Sequence, residues 1–210
     1  MDLGKLLMRP AKITEFQKIL DFYKDNESEN LSSREPAQLF KAVEEKKAFI
    51  IVNEKDEIVA AGCTFEYLNG DYREGGATVV SPIYQGFHFQ NILIGVRFFH
   101  EELFDPDFKI FFSAVLESSP ESIHNLEKSG FIRKTPDDLV KECKNFEDGK
   151  PRSYYELSRS DGRKLAGYLL ELDENPTLTR KRDGATVNLS FDLYILKNPG
   201  RKILEAFKMT

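Results

Sequence analysis

Three histidines, two cysteines and one basic triplet are the first residues of this 210-residue chain that invite chemistry. A metal centre needs ligands that converge, such as two histidines one helical turn apart or a cysteine pair. His88, His100 and His124 are isolated from one another, and no cysteine accompanies any of them. No metal site is expected. His100 precedes Glu101 and Glu102 late in a long apolar-striped segment, where an imidazole suits a helix C-terminus; it and His124 read as structural or surface groups. Cys63 lies in the apolar run Ile58–Phe65 without a neighbouring cation to lower its pKa, so it reads as a buried, inert thiol. Cys63 and Cys143 form no CxxC motif; a reduced, cytosolic chain is the simpler reading, with one disulfide as the alternative. Arg180-Lys181-Arg182 offers a contact to a phosphate or an acidic partner, although a charged loop is ordinarily just solvated.

The rest of the chain must position whatever chemistry there is. With 40% hydrophobic and 31% charged residues, it has the makings of one full domain plus an appendage, or of two small domains. Thirty-five acidic against 30 basic residues give a net charge of −5, which disfavours a nucleic-acid-coating role. The most apolar stretch, near Asn91–Phe99, is interrupted by Gly95 and Arg97 and falls short of the ~20 residues that span a bilayer. The first 16 residues lack a signal-peptide core. No membrane partner is expected, and the cytoplasm is the expected location. The charge divides unevenly: residues 1–158 carry 20 basic and 28 acidic side chains, residues 159–210 carry 10 and 7. That break, beside Ser158-Arg159-Ser160-Asp161-Gly162, marks a boundary between a body and a C-terminal extension.

Patterning then orders the elements. Leu6–Met8 suggests a strand stopped by Pro10. Phe16, Ile19, Leu20 and Tyr23 suggest a helix capped by Thr14, and a second helix begins near Arg34–Pro36. Ala48–Val52 and Ile58–Phe65 read as a hairpin around Asn53–Glu57, with a third strand over Gly76–Val80. After Pro82, the stripe Phe89, Ile92, Val96, Phe99 and Leu103 predicts a long helix. Lys109–Val115 is a strand, Ser118–Ser129 a helix closed by Gly130, and Phe131-Ile132 and Ser153–Leu157 are two further strands. Residues 136–149 read as a helix-containing crossover. In the extension, Arg163–Leu172 predicts a helix, the strict alternation Val187–Leu193 a half-buried strand, and Pro199-Gly200 the start of a last helix. The order β-α-α-β-β-β-α-β-α-β-β predicts an α/β (α+β) fold, a mixed and mostly antiparallel sheet flanked by helices, with an α/β appendage. One helix, one or two strands and another helix cannot bury a core alone. The extension therefore packs on the body or on a second copy of the chain, as a homodimer would require.

Two motifs narrow the reading. Val80-Ser81-Pro82-Ile83-Tyr84-Gln85-Gly86 joins a strand to the long helix, and Glu127-Lys128-Ser129-Gly130-Phe131 joins a helix to a strand. Together with the element order, they resemble the GCN5-related N-acetyltransferase (GNAT) family over about residues 5–158. The resemblance implies acetyl-CoA, or another acyl-CoA, as cosubstrate. A helix N-terminus offers unpaired N–H groups and a positive dipole end to a pyrophosphate. It places that loop at Gln85, Gly86, Phe87, His88, Phe89 and Gln90, with Ile83 and His88 where the family has Gln/Arg and Gly/Ala. The backbone of Thr78, Val79 and Val80 would pair with the pantetheine arm. Glu74, six residues before Val80, matches the position of the general base in some members. Its alternative reading is a solvated hairpin charge. The family's usual acid, a tyrosine four residues before the glycine, is Leu126 here; Tyr154, Tyr155, Ser118 or Ser119 would have to substitute.

The resulting expectation is a cytoplasmic transferase that moves an acetyl or other acyl group from acyl-CoA to an amine, on a small molecule or a protein. The acidic body mildly favours a cationic acceptor. The alternative is a non-catalytic binding or regulatory protein on the same fold, motivated by His88, Gln90 and Leu126.

Overall fold

The computed structural model describes residues 1–26, 34–135, 150–171 and 175–193. The expected crossover at 136–149, Cys143 and the final helix after Pro199 lie outside the described residues. Strand β1 spans Asp2–Pro10, followed by helices α1 (Phe16–Asp25) and α2 (Pro36–Glu44). The strands β2 (Ala48–Asn53), β3 (Ile58–Tyr67) and β4 (Tyr72–Val80) form an antiparallel meander. Helix α3 (Phe89–Phe104), strand β5 (Ile110–Leu116), helix α4 (Pro120–Lys128) and strands β6 (Phe131–Lys134) and β7 (Arg152–Leu157) complete the body. Helix α5 (Arg159–Glu171) and strands β8 (Thr177–Thr179) and β9 (Thr186–Phe191) follow. The nine strands among the described residues join one sheet in the order β6-β7-β5-β4-β3-β2-β1-β9-β8. Of their pairings, only β1–β9 and β4–β5 are parallel. No helix among the described residues is long and apolar enough to cross a membrane.

Local chemistry sets the boundaries. Proline occupies the first turn of α2 and α4, where its missing N–H costs nothing and its fixed φ is already helical. Gly130 ends the α4 turn at φ 90°, the left-handed conformation that a glycine adopts without strain. Thr14 is not the cap of α1: residues 13–15 form a 3-10 turn. There Glu15 accepts from the Lys12 amide at 2.8 Å and from Arg9. A carboxylate three residues into the turn outcompetes the threonine hydroxyl.

Helices α1 and α2 cover one face of the sheet and α3, α4 and α5 the other. Helix α3 is buried nearly all round. Its two buried carboxylates are compensated: Glu101 pairs with Arg73 at 2.7 Å, and Glu102 pairs with Arg159 at 3.0 Å and Arg163 at 3.2 Å, both from α5. His100 is buried against Phe49 and Phe104, a structural rather than a surface role. Cys63 is 1% exposed, and burial pushes its thiol pKa up, as an inert thiol requires.

Candidate functional site

The strands β4 and β5 pair over only three residues, Tyr72↔Ile110, Arg73↔Phe111 and Glu74↔Phe112. Beyond Glu74 they part. The cause lies in β4, where Ala61↔Val79 gives way to Cys63↔Gly76, so that Ala77 and Thr78 face the single residue Gly62. Such a bulge bends its strand and increases local twist. Ala77 takes φ 46° to make it, a conformation that costs a non-glycine residue roughly 1–2 kcal/mol. Side chains hold the strained carbonyls: Ser113 Oγ donates to Gly75 O at 3.0 Å, Arg97 to Gly76 O at 2.8 Å, and Tyr23 Oη to Ala77 O. The bulge also swaps faces. Glu74, Gly76, Ala77 and Val79 belong with α1 and α2, while Thr78 and Val80 turn towards α3.

A cleft of about 770 Å3 opens from this fork towards the start of α3. Thr78, Val79 and Val80 form one wall, the loop Tyr84–Gly86 with His88–Asn91 the end, and Ser119–Ser122 with His124 and Asn125 the other wall. A helix begins with N–H groups that have no intrahelical partner, and the first turns of both α3 and α4 border this cleft. Gln90 Oε1 accepts from Asn125 Nδ2 at 2.9 Å and so ties the two helices together. His88 caps α3 in the left-handed conformation, φ 63°, and is exposed at the cleft's lip. Desolvation, then Lys128 and Lys181, pushes its imidazole below the usual value.

On the opposite face, Glu74 is completely buried. One carboxylate oxygen pairs with the Arg34 guanidinium and the other accepts from Tyr67 Oη at 2.7 Å. Arg34 also lies 4.7 Å above the Phe65 ring. Burial opposes its charge, but Glu74 and then Tyr67 outweigh that and hold its pKa above the ordinary value.

No family model and no curated protein sequence matches the chain. Solved structures do. A GNAT-family acetyltransferase from Staphylococcus aureus superposes with a TM-score of 0.59 at 13% identity, covering 73% of this chain and 99% of that one. The NatC complex bound to Gag peptide and CoA gives 0.56 at 12%, with 73% and 98% covered. A Mycobacterium tuberculosis protein in complex with CoA gives 0.54 at 14%, with 72% and 99% covered. The fold is that of the GCN5-related N-acetyltransferases.

Within this GNAT fold, the residues singled out from the sequence separate into three groups. Thr78, Val79, Val80, Gln85, Gly86, His88, Phe89 and Gln90 line the cleft together. Phe87 does not: its ring is 1% exposed and packs under the loop against Phe89. An aromatic side chain beside the glycine is worth more in the core than at the cleft's lip. Glu74 lies across the sheet at the fork, in a strand rather than on a solvated hairpin. The expected strand begins only at Gly76, which leaves Glu74 ahead of it, but the chain turns at Leu68–Asp71 and β4 already starts at Tyr72. Tyr154 clusters with Phe112, on the Glu74 face. Tyr155 belongs to the opposite core with Leu126, donating weakly to Glu127 at 3.5 Å. Ser119 caps α4 at the cleft wall.

Two residues with structural weight at the site carry no functional reading in the sequence, Arg34 and Arg97, and Arg97 reads only as an interruption of an apolar stretch. Arg180, read as a contact to a phosphate or an acidic partner or as a solvated charge, instead donates to the loop carbonyls of Ile83 and Gln85. A basic residue inside an apolar stripe is the signal that deserved weight, because burying it demands partners.

Proposed function

We propose that this chain is an acyl-CoA-dependent N-acyltransferase. The fork carries the reading: β4 leaves β5 after Glu74 and leads its free edge into a cleft that ends on the first turn of α3. That geometry fits a long, amide-bearing cosubstrate with a pyrophosphate at one end. The edge of Thr78–Val80 is open to pantetheine amides, much as a strand edge accepts another strand. The first-turn N–H groups of α3 face the pyrophosphate end. At the fork, the carbonyls of Gly75, Gly76 and Ala77 are already satisfied by Ser113, Arg97 and Tyr23, so they do not compete for the arriving arm.

The reaction asks for alignment first. An uncharged amine attacks the thioester carbonyl carbon, the C–S bond breaks, and the amine proton ends on the coenzyme sulfur. Holding both reactants at a fork supplies much of the acceleration by orientation alone. Glu74 is the residue we assign to the amine, entering from the α1–α2 face, with Tyr154 near it. Its contacts with Arg34 and Tyr67 must loosen for it to take a proton, and such contacts rearrange in substrate complexes. The acceptor is an amine on a small molecule or a peptide, and the acyl group is acetyl or a longer chain.

Titration calorimetry with acetyl-CoA, followed by a thiol-release assay over an amine panel, tests this reading. Binding with turnover on at least one amine supports it, and no binding at millimolar acetyl-CoA overturns it. The engaged state of both Glu74 oxygens favours a second reading, a non-catalytic acyl-CoA-binding protein. Tight binding without turnover over the whole panel selects that one.

A further inference from the structure

Arg97 is wholly buried, and among the described residues no carboxylate forms a salt bridge with it. Its Nε donates to Leu93 O at 3.0 Å, and one terminal nitrogen donates to Cys63 O at 2.6 Å and Gly76 O at 2.8 Å. The other donates to Thr78 Oγ1 at 2.8 Å. The fold makes room for this cation: a Cβ on Gly62 would stand 3.1 Å from the guanidinium carbon. Burial outweighs the opposing influence of Cys63, Tyr23 and Glu74 and pushes the arginine pKa down to about 10. A buried charge without a counter-charge is expensive. If only the bulge needed stapling, a neutral donor would serve.

The direction of the charge is informative. Three of its acceptors are backbone carbonyls inside the sheet and helix. The fourth, Thr78 Oγ1, is the one acceptor whose residue lines the cleft. A hydroxyl that accepts from a cation keeps its own proton for donation, and the hydrogen bond strengthens it as a donor. Thr78 is also the bulge residue on the cosubstrate side, where the arm must reach the fork.

We propose that Thr78 is a catalytic residue: its hydroxyl, backed by Arg97, donates a hydrogen bond to the thioester oxygen. This rests on the acyl-transfer reading above and deepens it. As the amine nitrogen bonds to the carbonyl carbon, the C=O π pair moves onto oxygen, where Thr78 meets the new negative charge. When the C–S bond breaks, the pair returns, and the sulfur takes the proton that the amine has lost. Thr78 keeps its proton throughout. Arg97 is the positioning residue. The pair supplies electrophilic assistance on a site where Leu126 holds the place of a hydroxyl-bearing acid.

The test uses the full chain and 13C-carbonyl-labelled acetyl-CoA, whose bound carbonyl band is read by infrared difference spectroscopy. This needs no knowledge of the acceptor. The band should sit at lower frequency in the wild type than in Thr78→Val, and Thr78→Ser should restore it. With an active amine, kcat of Thr78→Val should fall about 10²-fold or more, as for other lost oxyanion donors. The KM for acetyl-CoA should stay within about twofold, as a donor whose bond is weak to the neutral carbonyl and strengthens on the developing oxyanion requires. A merely structural hydroxyl would change the melting temperature and leave the band in place. An unmoved band in a folded Thr78→Val protein that binds acetyl-CoA overturns this proposal and leaves the transferase reading standing. Failure of the wild type to bind acetyl-CoA overturns both.

Discussion

Substituting Glu74→Gln tests the buried side of the fork. The Glu74 side chain is 0% exposed and that of Arg34 is 6% exposed, so neither charge has water to fall back on. Removing one member of such a pair strands the other, at a cost of about 3–5 kcal/mol. Glutamine keeps a carbonyl for Tyr67 but supplies no anion to the guanidinium. At about 2–4 °C per kcal/mol for a chain of this size, the melting temperature should drop by roughly 6–20 °C. The double variant Arg34→Met/Glu74→Gln removes both charges and should recover more than half of that loss, because an apolar replacement of a buried pair is close to neutral. Differential scanning fluorimetry reads the stability, and a thiol-release assay on an accepted amine reads the chemistry. If Glu74 takes the amine proton, kcat stays about 10²–10⁴-fold down in the single and the double variant alike. A double variant that regains both stability and kcat would reduce Glu74 to a structural strut. A single variant melting within about 2 °C of wild type, which that scale equates with under roughly 1 kcal/mol, would refute the buried-pair argument itself.

Three other expectations follow from the cleft and the extension. Gly162→Ala should destabilise the fold, although alanine in a helix interior is normally worth about 1 kcal/mol over glycine. The new Cβ would stand 2.3 Å from the Phe98 ring, and overpacking costs about 1–3 kcal/mol; a higher urea midpoint would show that α5 does not seat there. Acetyl-CoA affinity should rise as pH falls through the region just below His88's ordinary value of about 6.5. The sign follows from the free imidazole being held low by desolvation and two lysines, so an arriving pyrophosphate raises its pKa and binding takes up a proton; calorimetry in buffers of different ionisation enthalpy reads this. A slope unchanged in His88→Asn would assign the pH effect elsewhere. Gly86→Ala should weaken acetyl-CoA binding, because Gly86 holds φ 90° and a Cβ there would stand 3.0 Å from Arg180 Cδ; equal Kd values would show that the loop shape is immaterial.

The body's order of strands and helices was legible because each element carries its own period or punctuation. Pro36, Pro120 and Gly130 sit where helices start and stop, and the stripe from Phe89 to Leu103 spans all of α3. The start of β4 was not legible: the expected strand begins at Gly76, whereas β4 runs from Tyr72 with both Gly75 and Gly76 inside it. The reason is steric and comes from afar. A Cβ at Gly75 would stand 2.9 Å from Phe111, and one at Gly76 3.0 Å from Arg34 and Glu74. The cleft's lip was legible through the loop motif, down to His88 and Gln90. The partners that decide the chemistry were not: Arg34 meets Glu74 across 40 residues and Arg97 meets Thr78 across 19. No local pattern encodes a contact of that kind; only an unexplained cation in an apolar context hints at it.

Arg180 shows why the extension belongs to the argument about the site. Its guanidinium donates to Ile83 O at 2.6 Å and Gln85 O at 3.4 Å, and lies 5.0 Å above the Phe87 ring. Asp183 fixes it in turn, accepting from two of its nitrogens at 2.9 and 2.7 Å. The loop that bends over the start of α3 is therefore clamped from behind by a residue of the segment that charge alone set apart. A Gly-poor loop, with Ile83 and His88 in place of more permissive neighbours, has less freedom to find the right curve unaided, and a clamp supplies it. Two other contacts point the same way. Strand β9 pairs with β1 and so joins the extension to the body's own sheet, and α5 brings Arg159 and Arg163 to the buried Glu102. Cutting the chain at residue 158 would strand that carboxylate inside α3 and release the loop at once. The positive extension is thus best understood as the part of the fold that balances and shapes the acidic body around its cleft.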